Sequence, residues 1–403
     1  MTAHHMAPTK QAEVISFGCR LNIAESESIA AMLNEHMPDA PLVVVNSCAV
    51  TNEAVRQTRQ AIRRARRDHP EARLLVTGCA AEIEREALAA MPEVDGLIAN
   101  AAKLDPRSWN VAPRAAIPDQ SRHTRAFVAV QNGCDHACTF CVIPQGRGSS
   151  RSMPLDQVLQ QVDRFVQRGA AEVVLTGVDL TSWGHDLPEA PRLGTLVAAI
   201  LVAFPQLKRL RLSSVDGIEI DPLLFELIAG EERLLPYLHL SLQHGNNLIL
   251  KRMKRRHLRA DALRLVTDLR AKRPELAVGA DLIAGFPTES DSAHADNLSI
   301  VAELNVVHGH VFPYSRRPGT PAALMPQVSG AVIKARAAEL RAAVSAQRTA
   351  WLATHLGQPL SVLAERDGTG HAPSFARVQL PPGTPAGSIV TVTPTRIIEG
   401  LLA

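Results

Sequence analysis

Aromatic residues, lysine and long apolar runs are all scarce in this sequence of 403 residues. Phe, Trp and Tyr together make up 3% of the chain, so its hydrophobic cores must be built mainly from Leu, Val, Ile and Ala. The longest apolar run, Leu196–Phe204, is far shorter than the roughly 20 residues needed to cross a membrane. The N-terminus has no apolar segment of the kind found in secretory signals. These absences argue against a membrane protein and predict a cytoplasmic one.

The charge balance is close to neutral, with 43 basic and 40 acidic residues and a net charge of +3. Hydrophobic residues make up 46% and charged residues 21%, which is typical of folded domains and excludes extensive disorder. Of the 43 basic residues, 36 are arginine and seven are lysine. Arginine favours bidentate contacts with phosphate. GC-rich coding would produce the same bias, and the composition leaves both explanations open.

Six cysteines are present, and in a cytoplasmic chain of this size they favour metal binding over disulfides. Three of them, Cys134, Cys138 and Cys141, form a CxxxCxxC motif. A zinc site would need a fourth ligand, for which His136 inside the motif is a candidate. Three thiolates alone favour a 4Fe-4S cluster with one iron open to another ligand. The motif, with Phe140 before its last cysteine, resembles the signature of radical S-adenosylmethionine enzymes.

The other three cysteines, Cys19, Cys48 and Cys79, each follow a short apolar run. The runs are Val14–Phe17, Leu42–Ser47 and Leu74–Gly78, and the helical patterns around them span Glu25–His36, Asn52–Asp68 and Glu82–Ala90. Apolar strands alternating with helices predict a parallel sheet, and ligands bind at the carboxyl edge of such sheets. The three thiols are therefore expected to meet at that edge and to hold a second cluster. The alternative is three unrelated buried cysteines.

Apolar runs recur through the central region at intervals that predict a partial barrel of six βα units. The predicted strands are Phe127–Gln131, Glu172–Thr176, Arg209–Ser213, Tyr237–Leu242, Val278–Ile283 and Val307–Phe312, with helices such as Leu155–Arg168 and Ala260–Lys272 between them. Active sites of such barrels lie at the carboxyl ends of the strands. Candidate contacts to S-adenosylmethionine at these ends and beside the cysteine motif are Phe140, Gly177, Asp179, Ser213 and Gln243. Each of these residues also has an ordinary structural explanation in a turn or loop.

The C-terminal region combines a helical segment, Leu340–Thr354, with short β-like runs separated by Gly, Pro and Asp turns. The runs are Pro359–Ala364, Phe375–Leu380 and Ser388–Thr393. They predict a small OB-like β-barrel, an architecture that often binds nucleic acid. A β-appendage without that role is the alternative.

Over roughly residues 12–400 the chain resembles the methylthiotransferases, a family of radical S-adenosylmethionine enzymes. The segments that carry the resemblance are Ser16–Glu27, Val43–Ala54, Leu74–Glu82, Asn132–Gly148, Arg211–Asp216, Asp281–Glu289 and His310–Ala322. The resemblance implies an α/β architecture of three parts. These are an N-terminal methylthiotransferase domain with an auxiliary cluster (1–115), a radical barrel (122–350) and a TRAM-like β-barrel (355–403).

The family divides into three substrate classes, and this sequence is most similar to the one that acts on N6-threonylcarbamoyladenosine at position 37 of tRNA. The other classes act on isopentenyladenosine in tRNA and on an aspartate of a ribosomal protein. The sequence departs from the family pattern at Val215–Ile218 and at Gln243–Asn247, which concerns the substrate side and leaves the cysteines untouched. A non-enzymatic iron–sulfur protein that binds RNA and senses redox state is a further alternative.

The resemblance also implies the chemistry and the partners. The cluster on Cys134, Cys138 and Cys141 would cleave one S-adenosylmethionine to a radical that activates carbon 2 of the modified adenine. A second S-adenosylmethionine would donate the methyl group to sulfur held at the cluster on Cys19, Cys48 and Cys79. The implied partners are the tRNA anticodon stem-loop, an electron donor such as flavodoxin or ferredoxin, and a sulfur donor, with no membrane.

Two basic stretches favour RNA contact, because such stretches bind phosphate. One is an arginine stripe at helical spacing after Cys48, and the other is the run Lys251–Arg259, which contains no acidic residue. The candidate RNA-binding residues are Arg56, Arg59, Arg63, Lys254, Arg255, Arg256, Arg316 and Arg317. A solvated charged surface is the alternative for either stretch. The scarcity of aromatics predicts recognition by shape and phosphate contact more than by base stacking.

Overall fold

The computed structural model describes residues 4–5, 12–35, 41–110 and 124–403. The chain divides into two compact units. The N-terminal unit comprises Met1–Arg122, Asn132–Arg151 and Ser315–Thr320, and the barrel unit comprises His123–Gln131, Ser152–Tyr314 and Pro321–Ala403. The predicted domain boundary between residues 115 and 122 lies outside the described residues.

The N-terminal part of the chain alternates strands and helices in the predicted order. Its elements are β1 (His4–His5), β2 (Ala12–Ser16), α1 (Arg20–Glu35), β3 (Leu42–Ser47), α2 (Asn52–Asp68), β4 (Arg73–Gly78), α3 (Cys79–Ile83), α4 (Arg85–Ala89) and β5 (Gly96–Leu97). The strands form one sheet in the order β1-β2-β3-β4-β5. β1 is antiparallel to β2, and the remaining pairs are parallel, so the predicted parallel sheet is confirmed.

Helices cover both faces of this sheet, which explains its continuous apolar strands. Val43 and Val45 belong to the same apolar cluster as Ile62 of α2. Val44, which points to the opposite face, belongs to the cluster that contains Ile29 of α1. Successive residues of β3 therefore contribute to two different cores.

Two predicted helices differ from those in the structure. The helix predicted over Glu25–His36 begins earlier, at Arg20, and His36 lies outside the described residues. The prediction of one helix over Glu82–Ala90 is wrong, because α3 and α4 are separated by Glu84, which has a φ of −118° and a ψ of 34°. The Glu84 carboxylate accepts a hydrogen bond from Arg59 of α2 at 2.6 Å, a tertiary contact that local helix propensity does not register.

The central region forms the predicted βα series. Its elements are β6 (Arg125–Ala129), β7 (Gln131–Asn132), α5 (Ile143–Arg147), β8 (Arg151–Ser152), α6 (Leu155–Gln167), β9 (Glu172–Thr176), α7 (Leu193–Ala203), β10 (Arg209–Leu212), β11 (Ser214–Val215), α8 (Pro222–Gly230), β12 (Tyr237–Gln243), α9 (Asn247–Arg252), α10 (Arg259–Lys272), β13 (Ala277–Ala284), α11 (Asp291–Glu303), β14 (Val306–Pro313) and α12 (Gly330–Ala353). The first strand lies two residues before its predicted position, and most other boundaries agree within one or two residues.

The barrel strands are all parallel and form two sheets in sequence order. β6, β9 and β10 form one sheet, and β11 to β14 form the other. Ser213 separates the last strand of the first sheet from the first strand of the second. Within residues 124–403 no strand pairing joins β14 to β6, so the barrel is open, as predicted. Its largest apolar cluster is mainly aliphatic, with Leu175, Leu196 and Val278 fully buried, as the scarcity of aromatics requires.

The C-terminal strands form one six-stranded mixed sheet. They are β15 (Leu360–Ala364), β16 (Thr369–His371), β17 (Arg377–Gln379), β18 (Ile389–Val392), β19 (Ile397–Ile398) and β20 (Leu401–Leu402), in the order β18-β15-β16-β17-β20-β19. Val362, Val378 and Leu402 form a small core with Leu352 of α12. No pairing among residues 360–402 closes the sheet, so the region predicted as an OB-like barrel is an open sheet. Among the described helices, none has the length and hydrophobicity of a membrane span.

Candidate metal centre and nucleic-acid interface

The three dispersed cysteines meet at one edge of the N-terminal sheet. Cys19 lies just before α1, and Cys48 and Cys79 directly follow β3 and β4. The turn into Cys19 depends on Gly18, which has a φ of +103°. A Cβ at Gly18 would lie 2.9 Å from the Sγ atom of Cys48, so a side chain has no room there. The sheet therefore brings together thiols from distant parts of the sequence.

Burial differs among these three thiols. Cys48 and Cys79 are buried, whereas Cys19 is exposed. Burial raises the pKa of the Cys48 thiol to about 12, and Cys19 and Cys79 act on it in the same direction. Burial also raises the pKa of Cys79, while the nearby charges of Arg147 and Lys103 oppose that rise. Metal binding would therefore have to displace protons from two buried thiols.

The other three cysteines lie on one loop between β7 and α5, and all are partly buried. The backbone N–H of Cys141 donates to the carbonyl of Cys138 at 3.2 Å. The N–H groups of His136 and Ile143 donate to the Sγ atoms of Cys134 and Cys141, each at 3.4 Å. Hydrogen bonds to sulfur stabilise thiolate ligands and tune the clusters that they hold.

The base of this loop is closed by backbone contacts. The N–H of Cys134 donates to the carbonyl of Gly148 at 3.1 Å. Gly133 has a φ of +77°, and a Cβ there would lie 1.9 Å from the carbonyl oxygen of Ser149. These contacts fix the base of the loop that contains the three cysteines.

Each set of cysteines fits an iron–sulfur cluster by its donor chemistry. Each offers three soft thiolates, which suit iron and leave the fourth iron of a 4Fe-4S cluster open. All six cysteines of the chain fall within the N-terminal unit, because the segment Asn132–Arg151 is part of it. Both candidate clusters therefore belong to one compact unit.

Three of the buried charged side chains in the same unit lie together: Glu25 on α1, Arg147 on α5, and Lys103. Their side chains are only 1–2% exposed. Lys103 Nζ lies 2.6 Å from one Glu25 oxygen, and Arg147 Nη1 lies 2.9 Å from the other. Burial alone would raise the pKa of Glu25, but the charges of Lys103 and Arg147 outweigh it and hold the pKa below its usual range.

The sequence analysis did not single out these three residues. Glu25 and Arg147 are separated by 122 positions, and no local pattern relates them. The available signal was their presence inside two of the segments that resemble the methylthiotransferases.

The candidate contacts to S-adenosylmethionine are divided between the two units. Phe140 lies on the cysteine loop of the N-terminal unit, whereas the other four lie at strand ends of the barrel unit. These four are Gly177 and Asp179 after β9, Ser213 between β10 and β11, and Gln243 at the end of β12. The Ser213 hydroxyl is buried without a hydrogen-bond partner among the described residues, as expected of a group that awaits a ligand.

Gln131 shapes the loop that contains two of these candidates. Its side-chain oxygen accepts hydrogen bonds from the N–H groups of Val178 at 3.0 Å and Asp179 at 2.9 Å. A Cβ at Gly177 would lie 2.9 Å from the same oxygen. The Asp179 carboxylate accepts from the Ser182 hydroxyl at 2.6 Å. The sequence analysis missed Gln131, whose role depends on the pairing of β6 with β9.

The arginine stripe on α2 lines a surface groove of about 400 Å³. Arg56, Arg59 and Arg63 contribute to it, together with Glu84. Arg56 pairs with Glu53 and Arg59 pairs with Glu84, both at 2.6 Å, and these arginine side chains are 59% and 38% exposed. Exposed ion pairs contribute little energy, so phosphate can compete for these arginines.

Two of the other candidate RNA-binding residues are buried. Arg255 donates to Asp216 and to the Ser241 carbonyl, both at 2.8 Å. Arg317 is 2% exposed and lies 3.6 Å from Glu84. These contacts favour a structural role for both. Of the remaining candidates, Lys254 and Arg316 are exposed, and Arg256 is exposed while paired with Glu219 at 2.5 Å.

A second polar cluster, absent from the sequence predictions, lies on the barrel strands. Asp281 on β13 accepts from His239 on β12 at 3.1 Å and from His310 on β14 at 3.0 Å. Burial alone would raise the pKa of Asp281, but the two histidines outweigh it and hold the pKa well below its usual range. The signal available in the sequence was a polar residue inside each of three otherwise apolar runs.

Comparison with known proteins places these features in a family. Residues 128–298 match the radical SAM superfamily, and residues 11–99 match an uncharacterized protein family, UPF0004. The chain is 42% identical to the threonylcarbamoyladenosine tRNA methylthiotransferase MtaB of Rickettsia prowazekii, over 97% of this chain and 96% of the relative. The chain belongs to the radical SAM methylthiotransferases. The family resemblance seen in the sequence is confirmed, as is the prediction of an enzyme.

A second relative shares less of the sequence. The chain is 34% identical to the tRNA-2-methylthio-N(6)-dimethylallyladenosine synthase of Erythrobacter litoralis, over 90% of this chain and 89% of the relative. Among solved structures, the radical S-adenosylmethionine methyltransferase TsrM from Kitasatospora setae superposes with a TM-score of 0.52 at 16% identity. That match covers 72% of this chain and 68% of TsrM and supports the fold alone. Membership in the superfamily implies a 4Fe-4S cluster and S-adenosylmethionine as cofactors.

Proposed function

We propose that this methylthiotransferase converts N6-threonylcarbamoyladenosine at position 37 of tRNA to its 2-methylthio derivative. The observation that carries the proposal is the placement of both cysteine triads in one compact unit. The similarity to the Rickettsia prowazekii threonylcarbamoyladenosine enzyme over nearly the whole chain supports this substrate over isopentenyladenosine or a ribosomal protein.

In this proposal Cys134, Cys138 and Cys141 hold one 4Fe-4S cluster, and Cys19, Cys48 and Cys79 hold the second. Together with S-adenosylmethionine, the two clusters supply the radical and the methylated sulfur that the reaction needs. The amides of His136 and Ile143 hold two of the sulfur ligands in place. Burial of Cys48 and Cys79 would limit the access of water to two of the three cysteines that would hold the second cluster.

Residues at the strand ends bind S-adenosylmethionine in the same proposal. Gln131 fixes the loop that contains Gly177 and Asp179, and the buried Ser213 hydroxyl has a hydrogen bond to offer. Gln243 completes this set within the barrel unit, and the contact predicted for Phe140, on the cysteine loop, stays a prediction. The exposed arginines of α2 contact phosphates of the anticodon stem-loop, because this groove combines charge with accessibility.

The proposal also includes two protein partners and a compartment. A flavodoxin or ferredoxin supplies the electron for radical formation, and a separate donor supplies sulfur. Both reactions take place in the cytoplasm, where tRNA is modified. Neither partner is needed for the test below, because dithionite and sulfide replace them.

The test is anaerobic turnover of the reconstituted protein with S-adenosylmethionine, dithionite, sulfide and tRNA that contains threonylcarbamoyladenosine. Mass spectrometry of the nucleosides is expected to show 2-methylthio-N6-threonylcarbamoyladenosine. Formation of 5′-deoxyadenosine without that nucleoside would keep the radical chemistry and overturn the substrate. Absence of both products, in protein whose iron and sulfide contents match two clusters, would overturn the enzymatic proposal.

A further inference from the structure

The buried charges of Lys103, Arg147 and Glu25 in the N-terminal unit do not balance one another. Lys103 and Arg147 each carry a positive charge, and among the described residues Glu25 is the one carboxylate within 4.0 Å of either. Their remaining contacts are neutral amide oxygens, contributed by Asn22, Asn46 and Asn132. The group formed by Lys103, Arg147 and Glu25 therefore holds one positive charge in excess, which is costly unless another anion faces it.

The surplus charge lies against the auxiliary cysteines. Gly146, the neighbour of Arg147, packs so closely that a Cβ on it would lie 3.3 Å from the Cβ atom of Cys79. Asn22 accepts a hydrogen bond from Arg147 and donates one at 3.1 Å to the carbonyl of Ser47, the residue before Cys48. The same network therefore supports two of the three strand ends that present thiols.

The direction of the electrostatic interaction agrees with this packing. Burial lowers the pKa of Lys103, while the charges of Glu25 and Cys79 act against that fall. Burial disfavours the guanidinium charge of Arg147, while Glu25 and the thiols of Cys79 and Cys19 favour it. Negative charge at the thiols and positive charge at Arg147 and Lys103 thus stabilise each other.

We propose that Arg147 and Lys103, oriented by Glu25, are positioning residues that supply the counter-charge for the cluster on Cys19, Cys48 and Cys79 and thereby raise its reduction potential. The inference rests on the proposed function, which places a second cluster there. One-electron reduction makes a thiolate-bound cluster more negative by one charge, and a buried cation favours the reduced form. Glu25 acts in the opposite sense, because its carboxylate offsets one of the two cations.

The test uses the full-length protein with Cys134, Cys138 and Cys141 replaced by alanine, so that a single cluster remains. In this background Arg147→Gln, Lys103→Met and Glu25→Gln are compared with the parent by dithionite titration followed by electron paramagnetic resonance. Arg147→Lys is the conservative variant. Arg107→Gln is the matched control, because it removes one positive charge from the same unit at a side chain that is 79% exposed.

Removal of either cation is expected to lower the reduced-to-oxidised ratio at a fixed potential by about tenfold, equal to about 59 mV for one electron. Glu25→Gln is expected to shift the ratio in the opposite direction. Arg147→Lys is expected to stay near the parent, and Arg107→Gln to leave the potential unchanged. Opposite shifts separate counter-charge from mere structural support, because loss of support would move all three buried variants the same way.

Unchanged potentials, or shifts of the same sign for Arg147→Gln and Glu25→Gln, would overturn the counter-charge while the proposed function stands. A parent protein that binds no iron at Cys19, Cys48 and Cys79 would overturn the second cluster itself, and with it both proposals. If Arg147→Gln fails to fold, as judged by thermal melting of the apoprotein, Lys103→Met removes the same charge from a different segment and decides the question.

Discussion

Each of the two units contains a group in which two buried cations share one carboxylate. The surroundings of the remaining positive charge differ between the two groups. In the N-terminal unit Lys103 and Arg147 share Glu25. In the barrel unit Arg209 and Arg211 share Glu172, at 3.9 and 2.7 Å.

The surroundings decide what each group of charges does. Arg209 of the barrel unit donates to the carbonyls of Ser361 and His371, and Arg211 lies 4.9 Å from the ring centroid of Phe375, so their surplus charge holds the C-terminal sheet. The surplus charge of the N-terminal unit meets neutral amide side chains beside cysteines. The same imbalance can therefore join two layers of a fold or prepare a site for a negatively charged group.

The largest expected effect concerns the assignment of all metal chemistry to the N-terminal unit. Cys138→Ala is expected to abolish both 5′-deoxyadenosine and the methylthiolated nucleoside. Cys79→Ala is expected to abolish the nucleoside alone, because the loop cluster remains intact. Both products are measured in the anaerobic turnover assay. Retention of methylthiolation by Cys79→Ala would contradict the role proposed for a second cluster on Cys19, Cys48 and Cys79.

Loss of the buried ion pair between Arg211 and Glu172 in the barrel unit is expected to lower stability and to leave the clusters unaffected. Arg211→Gln leaves the buried Glu172 carboxylate with a poorer partner and is expected to lower the free energy of unfolding by about 3 kcal/mol. Urea denaturation measures this change, and iron content is expected to stay at the parent value. Arg107→Gln, with its exposed ion pair, is expected to leave the free energy of unfolding nearly unchanged. Loss of iron from folded Arg211→Gln protein would contradict the assignment of a purely structural role to the charges of the barrel unit.

Acid is expected to weaken the contact between β6 and the C-terminal sheet. Burial alone would raise the pKa of Glu365, but His371, 3.4 Å away, and the charge of Arg125, 2.9 Å away, lower it to about 2. Because the folded-state pKa lies below the unfolded value, this carboxylate stabilises the fold above about pH 4.5 and loses its contribution as the pH falls towards 2.

Glu365→Gln removes that pH dependence. At neutral pH it is expected to lower stability by about 2 kcal/mol, after allowance for partial solvent screening. Urea midpoints measured from pH 6 to pH 3 for the parent and the variant give the comparison. Parallel pH profiles for the two proteins would contradict the assigned role of Glu365.

The smallest effect is expected at the surface of the N-terminal unit. Replacement of Arg56 and Arg63 by Gln is expected to weaken tRNA binding several-fold and to reduce the salt dependence of log Kd by about one for each lost phosphate contact. Filter binding between low and moderate salt measures both quantities. The Arg107→Gln control is expected to bind normally. If the salt dependence of log Kd is unchanged in the double variant, the RNA phosphates contact residues other than Arg56 and Arg63.

Features that depend on local pattern were predictable from the sequence. The bounds of α2 and β3 agree with prediction, because strong periodicity and a continuous apolar run define them. The convergence of Cys19, Cys48 and Cys79 followed from strand ends in a parallel sheet. The strands β16, β19 and β20 were missed, because runs of two or three residues carry no periodic signal.

Features that depend on distant contacts were not predictable. Arg255 and Arg56 look alike as arginines in basic stretches, yet one is buried beside Asp216 and the other is exposed on α2. Glu25 and Arg147 contact each other only after the sheet and the cysteine loop have formed. The sequence therefore identifies the charged residues, but only the tertiary structure shows which partners they contact.

The N-terminal unit is discontinuous along the chain, and this has a consequence for how the protein is made. Its last segment, Ser315–Thr320, contributes a contact of Ser315 with the N–H of Asn52 at 3.2 Å. A ribosome that has just finished the cysteine loop needs about 10–30 s more to reach that segment. All six thiols are therefore synthesised well before the unit that presents them is complete. We therefore expect iron–sulfur loading to take place at the end of translation or later.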